Sequence, residues 1–129
     1  MTTKRTTKSN LYGRKYNNKK TNGYDSKKEA KRAETLKILE QLGDITDLRE
    51  QVVYELIPAQ TGIRTVIVNG KPKEKEYTIE RKCTYKADFV YVDKTGKTIV
   101  EDVKGFRTEV YKIKKKLLLL THGIELLET

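Results

Sequence analysis

The chain has 129 residues, of which 36% are hydrophobic and 36% are charged, and its formal net charge is +10. This length fits one domain with a modest core, and no apolar run approaches the roughly 20 residues of a membrane span or the apolar segment of a secretory signal. One cysteine and one histidine exclude an internal disulfide, a multi-cysteine zinc site and chemistry that needs paired histidines, so catalysis would have to use carboxylates and lysines.

Residues 1–24 form a basic N-terminal arm. The arm carries seven Lys or Arg and no acid, whereas the rest of the chain carries 21 basic and 18 acidic residues. Its Thr, Asn and Gly content predicts a flexible segment. Such an arm is either a solvated tail or a grip on nucleic acid phosphates, and the tyrosines between its cations favour nucleic acid because they could stack on bases. We assign to DNA the cations Arg14, Lys15, Lys19 and Lys20.

A helix and a strand are predicted after the arm. Residues 25–43, DSKKEAKRAETLKILEQLG, predict a helix that begins at the N-cap Ser26 and ends at Gly43. Glu29, three residues after Ser26, completes a capping box. The β-branched and aromatic run at residues 52–57 predicts a strand, which the following proline ends.

The second half of the chain is predicted to be mostly strands. Residues 65–68 and 77–81 predict a hairpin near the edge of the sheet, joined by the polar loop NGKPKEKE. Two strands are predicted at 85–92 and 98–104. A second helix is predicted at 108–123, where Val110, Ile113, Leu117 and Leu120 recur at helical spacing, and a short strand at 124–128. The order predicts an α/β sandwich around a mixed sheet, with a right-handed crossover at its end.

The segment DKTGK, residues 93–97, sets the register of the two strands around it. A three-residue loop with Gly96 in the left-handed region suits these residues better than a two-residue turn, which would need positive φ at a lysine and a threonine. The three-residue loop pairs the two ends of the segment and places Asp88 opposite Asp102 on one face. A two-residue loop would place Asp88 opposite Glu101 instead.

Asp88, Asp102 and Lys104 form the candidate site. Opposed β-carbons lie about 4.5–5.5 Å apart, so two carboxylates there repel each other unless a divalent cation joins them. Lys104 is expected about 7 Å along the same face, where it can orient a water or stabilise charge on phosphorus. The pattern predicts metal-assisted phosphodiester hydrolysis, and the structural alternative is a salt-bridged strand end.

These motifs resemble those of the PD-(D/E)XK nuclease superfamily, which carries an acid on the second core strand and (D/E)-x-K on the third. Asp88 in YKADF and Asp102-Val103-Lys104 in VEDVKG match them, and Glu29 in DSKKEA matches a first-helix glutamate of many members. Within the superfamily the sequence is similar, over most of its length, to a small family encoded mainly by phages and prophages.

Two positions depart from the common pattern of the superfamily. Ala87 stands where proline often precedes the acid, and Asp102 stands where glutamate is commoner. Neither departure removes a ligand. The resemblance implies that Mg²⁺ or Mn²⁺ is bound by Asp88, Asp102 and the Val103 carbonyl, with Glu29 as a further ligand unless it serves only as a helix cap. It also implies that Lys104 positions the attacking water.

The resemblance further implies a restriction-endonuclease-like α/β core, a mixed β-sheet flanked by helices in the order αβββαβ, with a hairpin insertion. The nuclease domain would span residues 25–129, after the arm.

The expected function is a DNA endonuclease of phage replication, recombination or processing in the bacterial cytoplasm. Double-strand cleavage or Holliday-junction resolution would require a homodimer. Further DNA contacts are assigned to Lys114, Lys116 and Tyr111. The alternative is a non-catalytic DNA-binding module.

Overall fold

The structure is a computed structural model that describes residues 23–24, 26–104 and 106–129. The arm cations assigned to DNA, Arg14, Lys15, Lys19 and Lys20, lie outside the described residues. The described elements, in chain order, are α1 (Lys27–Gln41), β1 (Ile45–Ile57), β2 (Gln60–Val68), β3 (Lys71–Glu80), β4 (Cys83–Asp93), β5 (Thr98–Asp102), α2 (Glu109–His122) and β6 (Leu127–Glu128).

The chain divides into two compact units, of which the first contains α1 and the turn between β4 and β5. Helix α1 begins at Ser26, whose side chain accepts a hydrogen bond from the backbone N–H of Glu29 at 3.1 Å. The predicted N-cap is therefore confirmed. Glu29, Ala30, Ala33 and Leu36 are buried, and their spacing of one to four residues makes a single buried stripe along the helix.

The turn between β4 and β5 is the predicted three-residue loop. Asp93 donates its N–H to the carbonyl of Lys97 at 2.9 Å, and Gly96 donates to the carbonyl of Asp93 at 3.0 Å. Gly96 has a φ of +88°, which side chains disfavour, so glycine suits this position. The Asp93 carboxylate accepts hydrogen bonds from Thr95 and Lys97, and the bond from the Thr95 hydroxyl contributes most to lowering the pKa of Asp93.

The second unit contains most of a mixed four-stranded sheet with the order β1-β4-β5-β6. Strands β4 and β5 form the antiparallel hairpin, whereas β5 and β6 are parallel, with Asp102 beside Glu128. The described residues thus have a mixed α/β fold with two helices, as predicted. Its core cluster consists of Leu56, Tyr85, Ala87, Val90, Val100, Tyr111, Leu118 and Leu126.

Strand β4 is irregular around Asp88. Ala87 and Val90 belong to the same core cluster, although strict alternation would place residues three apart on opposite faces. An extra residue between them, as in a β-bulge, accounts for this. The register counted from the turn therefore does not by itself fix where Asp88 points.

The hairpin of β2 and β3 is present as predicted, but its turn differs from the prediction. The two strands form a separate two-stranded sheet and follow β1, which is an edge strand of the main sheet. The segment NGKPKEKE is not a loop, because β3 already begins at Lys71. The turn is only Asn69 and Gly70, with φ values of 53° and 76°, and positive φ at both positions is typical of a tight type I′ turn.

Two further predictions are wrong in detail. Strand β5 ends at Asp102 and not at residue 104. In α2, Val110, Ile113 and Leu120 are 62%, 57% and 80% exposed, while the buried positions are Tyr111 and Leu118. The apolar spacing therefore predicted the helix correctly but predicted the wrong face of the helix as buried. In the described part of the chain, no helix is long and apolar enough to cross a membrane.

Candidate active site

The structure brings Asp88 beside the segment Asp102-Val103-Lys104, all within the second unit. The Asp88 carboxylate accepts a hydrogen bond from the backbone N–H of Val103, with 2.9 Å between oxygen and nitrogen. Because β5 ends at Asp102, the N–H of Val103 is outside the strand, and the Asp88 side chain is its partner. The Asp88 carboxylate thus lies against the peptide bond that joins Asp102 to Val103.

Asp102 is a buried carboxylate with only 2% of its surface exposed. Its Oδ2 accepts a hydrogen bond from the Tyr85 hydroxyl and lies 2.7 Å from the Lys104 ammonium. These two donors offset the cost of burying the charge. Both donors bind the same oxygen. Oδ2 of Asp102 is therefore anchored by two partners.

The backbone of this segment is fixed by the C-terminal residue. Thr129 donates its N–H to the carbonyl of Asp102 at 3.0 Å and accepts the N–H of Lys104 at 3.1 Å. These bonds continue the parallel pairing of β5 with β6. Lys104 is consequently held in place although it lies beyond the end of β5.

Tyr85 acts as a neutral hydrogen-bond donor to Asp102. Burial, and then the bond to the Asp102 carboxylate, raise the pKa of Tyr85 far above its ordinary value. The hydroxyl therefore keeps its proton at any physiological pH. It can orient the Asp102 carboxylate but cannot serve as a base.

Lys104 is held between Asp102 and an aromatic ring. Its ammonium lies 4.1 Å from the centroid of the Tyr111 ring, within the range of a cation–π contact. The side chain is 21% exposed, so its charge is still accessible to solvent. The ion pair of Lys104 with Asp102 is the contact that the structural alternative, a salt-bridged strand end, also predicts, and the Tyr111 ring packs against the same ammonium.

A second charged cluster surrounds Glu128 on β6. Its carboxylate accepts hydrogen bonds from Tyr111 and Arg107 and pairs with Lys115 at 3.2 Å. The Tyr111 hydroxyl contributes most, followed by Arg107, and together with Lys115 they lower the pKa of Glu128 to about 2. Sequence reasoning missed Glu128 and Arg107. The only available signal was the predicted last strand, whose pairing with β5 brings Glu128 beside Asp102.

A cavity of about 320 Å³ adjoins this cluster between α2 and the end of the chain. Its lining combines four cationic side chains with three aliphatic ones. The lining residues are Arg107, Tyr111, Lys112, Lys115, Lys116, Leu119, Ile124, Glu125, Leu126 and Glu128. Lys116 and Tyr111, both assigned to DNA from the sequence, therefore line one cavity, whereas Lys114 is partly buried and is not among these lining residues.

Two further acids figure in the sequence predictions: Glu29 as a candidate metal ligand, and Glu101 as the residue that a two-residue loop would place opposite Asp88. Glu29 is buried on α1 in the first unit, and its backbone N–H is capped by Ser26, so its role as a ligand stays a prediction. Glu101 is fully buried and accepts hydrogen bonds from the hydroxyls of Tyr91 and Thr129, at 2.7 and 3.1 Å. These partners give Glu101 a sufficient structural role.

The metal expected from the sequence can be tested against the donors. No group of three or more His, Cys, Asp or Glu side chains within the described residues is placed to hold a metal. The available donors are the carboxylates of Asp88 and Asp102 and the Val103 carbonyl. Mg²⁺ commonly takes one or two carboxylates and fills its other positions with water and substrate phosphate, so this oxygen-only set fits Mg²⁺ or Mn²⁺.

Comparison with known proteins gives one match. Neither the curated proteins nor the solved structures compared with this chain match it. A family model described as "Protein of unknown function (DUF1064)" matches residues 9–124, which include Asp88, Asp102 and Lys104 but not Glu128. Since that match covers well over half of the sequence, the chain belongs to the DUF1064 family.

Proposed function

We propose that this protein is a Mg²⁺- or Mn²⁺-dependent DNA endonuclease with a PD-(D/E)XK active site. The observation that carries the proposal is the hydrogen bond from Val103 N–H to Asp88, which joins the isolated acid to the acid-x-lysine segment. Asp88, Asp102 and Lys104 are thereby close together although the first two are 14 positions apart in the sequence. The role in phage DNA replication, recombination or processing, in the cytoplasm of a bacterial host, belongs to the same proposal.

The chain's own residues would hold and orient the reacting groups. Asp88, Asp102 and the Val103 carbonyl would bind the metal ion, which supplies Lewis-acid activation and charge stabilisation. Tyr85 would keep the Asp102 carboxylate in one orientation by holding Oδ2. Lys104, adjacent to Asp102, would position the attacking water or stabilise the negative charge that develops on the phosphate oxygens.

The competing function is a non-catalytic DNA-binding module. Such a module gains nothing from acids that face an anionic backbone, and burying the Asp102 carboxylate costs free energy that DNA binding alone does not require. The paired acids therefore favour the enzyme. In either function Lys116, Tyr111 and Lys114 remain candidates for contacts with the DNA backbone.

The proposal is tested by incubating the full chain with supercoiled, linear, single-stranded and four-way-junction DNA. Each substrate is combined with Mg²⁺, with Mn²⁺ or with a chelator. We expect cleavage of at least one substrate with metal and none with chelator. DNA binding without cleavage of any substrate would instead support the binding module. The preferred substrate also indicates whether a homodimer is needed, because one site of this kind cuts one strand at a time.

A further inference from the structure

Strands β2 and β3 form an exposed antiparallel ribbon that no sequence prediction connected with function. Every residue of β3 is exposed, and in β2 only Gly62 and Val66 are partly buried. A two-stranded hairpin by itself is marginally stable in water, and this one contributes nothing to the core cluster. Its surface is therefore available to a partner on both faces.

The two faces of the ribbon carry opposite charges. Cross-strand pairing joins Arg64 with Lys75, Val66 with Lys73, and Val68 with Lys71. Since side chains alternate along a strand, these residues share one face, here called the basic face. Between Gly62 and Val68, where the pairing is regular, its charged side chains are Arg64, Lys71, Lys73 and Lys75, without any acid.

The opposite face carries acids and no cations. Thr65 pairs with Glu74 and Ile63 with Glu76, and Thr61 donates its hydroxyl to Glu76 at 3.2 Å. A lysine and a glutamate alternate from Lys71 to Glu76 with one interruption by proline, so a slip of one residue would bring the glutamates to the face of Arg64. The observed register keeps them apart.

The positive charges of the basic face favour binding of an anionic ligand. No described residue forms a hydrogen bond or an ion pair with the ammonium groups of the three lysines, and like charges placed side by side on a sheet repel each other. The Arg64 guanidinium lies 4.9 Å from the centroid of the Tyr77 ring. Gly62 makes room for that ring, because a β-carbon at this position would lie 3.1 Å from it. An anionic partner would relieve the repulsion.

We propose that the basic face docks on duplex DNA, with the ribbon along the major groove and its lysines on the phosphates. The major groove admits a two-stranded ribbon. Lysines at alternate positions of β3 lie about 7 Å apart, close to the rise of two base pairs. This inference rests on the proposed function for the identity of the ligand, DNA, but does not depend on cleavage.

The test compares two charge-matched variants of the full chain. Lys73→Gln/Lys75→Gln alters the basic face, and Lys27→Gln/Lys31→Gln removes the same charge from exposed positions of α1. Affinity for duplex DNA is measured by fluorescence anisotropy without divalent metal, between about 50 and 200 mM salt. We expect the first variant to lower the slope of log affinity against log salt by roughly two units, and the second to leave it nearly unchanged.

Three results would overturn the inference. The first is an equal slope in both variants. The second is an equally large fall of the salt slope for the ribbon variant when single-stranded DNA, which has no major groove, replaces the duplex. The third is an altered oligomeric state of the ribbon variant in sedimentation with an unchanged DNA slope, which would identify a second copy of the chain as the occupant. The nuclease proposal fails separately: a wild-type protein that never cleaves DNA but shows the expected slopes keeps the ribbon assignment.

Discussion

The Asp88 carboxylate is hydrogen-bonded to the backbone N–H of Val103 at 2.9 Å. This bond joins the irregular part of β4 to the first residue after β5. Because β5 ends at Asp102, the Val103 N–H lies outside the strand and can bind the Asp88 side chain. The geometry of the candidate site thus arises where the regular hairpin ends.

Removing the Tyr85 hydroxyl should weaken both folding and cleavage. Tyr85→Phe keeps the buried ring but deletes a donor to the Asp102 carboxylate. We expect a loss of about 1.5–3 kcal/mol in unfolding free energy, measured by urea denaturation. Cleavage should fall by about 10–100-fold, since the metal-binding carboxylate loses its orientation.

Tyr91→Phe is the matched control for that variant. It deletes an equally buried hydroxyl from the neighbouring carboxylate, Glu101, which we place outside the site. A similar loss of stability with nearly unchanged cleavage is expected. If both variants lost activity to the same extent, Tyr85 would have only a structural role.

Removing the Lys104 charge should lower activity more than stability. Lys104→Met leaves Asp102 with Tyr85 as its remaining side-chain donor. Cleavage should fall by about 10²-fold or more, because the charge near the reacting phosphate is lost. Lys112→Met is the control, since Lys112 makes an exposed pair with Glu109 on α2, of a kind worth about 0.5 kcal/mol. Equal activity of the two variants would contradict the assigned role of Lys104.

Glu128 should contribute to the loss of stability in acid. Its pKa is lowered to about 2 in the folded protein from an ordinary 4.5, so the unfolded chain binds more protons between these values. Stability supplied by Glu128 is therefore present above about pH 5 and is lost as pH falls towards about 2. Glu128→Gln should be less stable at neutral pH and should show a flatter acid decline in urea titrations.

Glu109→Gln is the control for the acid titration. The Glu109 side chain is 85% exposed, so its removal should leave the acid decline unchanged. The interpretation of the Glu128 cluster would be wrong if both variants followed the wild-type curve.

The N-terminal arm should contribute to DNA affinity and not to metal binding. Deletion of residues 1–22 removes all seven arm cations and spares Tyr24, whose hydroxyl accepts a hydrogen bond from Lys37 at 3.1 Å. The salt slope of DNA binding should fall by roughly one unit for each DNA phosphate that the arm neutralises in the full chain. Stabilisation by Mg²⁺ should be the same in both proteins. An unchanged slope would make the arm a solvated tail.

Local chemistry made part of the fold and site predictable. The helix start at Ser26 and the three-residue loop at Gly96 follow from capping and turn preferences that act over a few residues. The loop also led to the prediction that Asp88 lies opposite Asp102, although the register counted from the turn does not by itself fix where Asp88 points. The charged residues in an otherwise apolar hairpin then predicted a site for metal-assisted phosphodiester hydrolysis.

The remaining features depend on contacts that a single sequence does not reveal. No local signal indicates the irregularity next to Ala87, because the sequence on both sides reads like that of a regular strand. Strand pairing and packing with α2 bring Tyr85 and Glu128 close to Asp102, and no sequence motif marks either residue. The alternating charges of β3 resembled a polar loop, because an exposed ribbon has no apolar face to mark it as a strand.

The central claim is tested most directly by Asp88→Asn, with and without Mg²⁺. The asparagine oxygen can still accept the Val103 N–H, so the shape of the site is kept while one of two neighbouring negative charges is removed. Without metal, the melting temperature should therefore hold or rise. The stabilisation by Mg²⁺ should shrink, because binding to the folded state supplies it.

Cleavage by the same variant is the decisive measurement. We predict that Asp88→Asn lowers the rate of Mg²⁺-dependent DNA cleavage by orders of magnitude, since the ion would supply both nucleophile activation and charge stabilisation. Its DNA affinity without metal should be equal to or higher than that of the wild type, because a negative charge has left the site. Cleavage at the wild-type rate, with an undiminished Mg²⁺ effect on melting, would contradict the proposed active site.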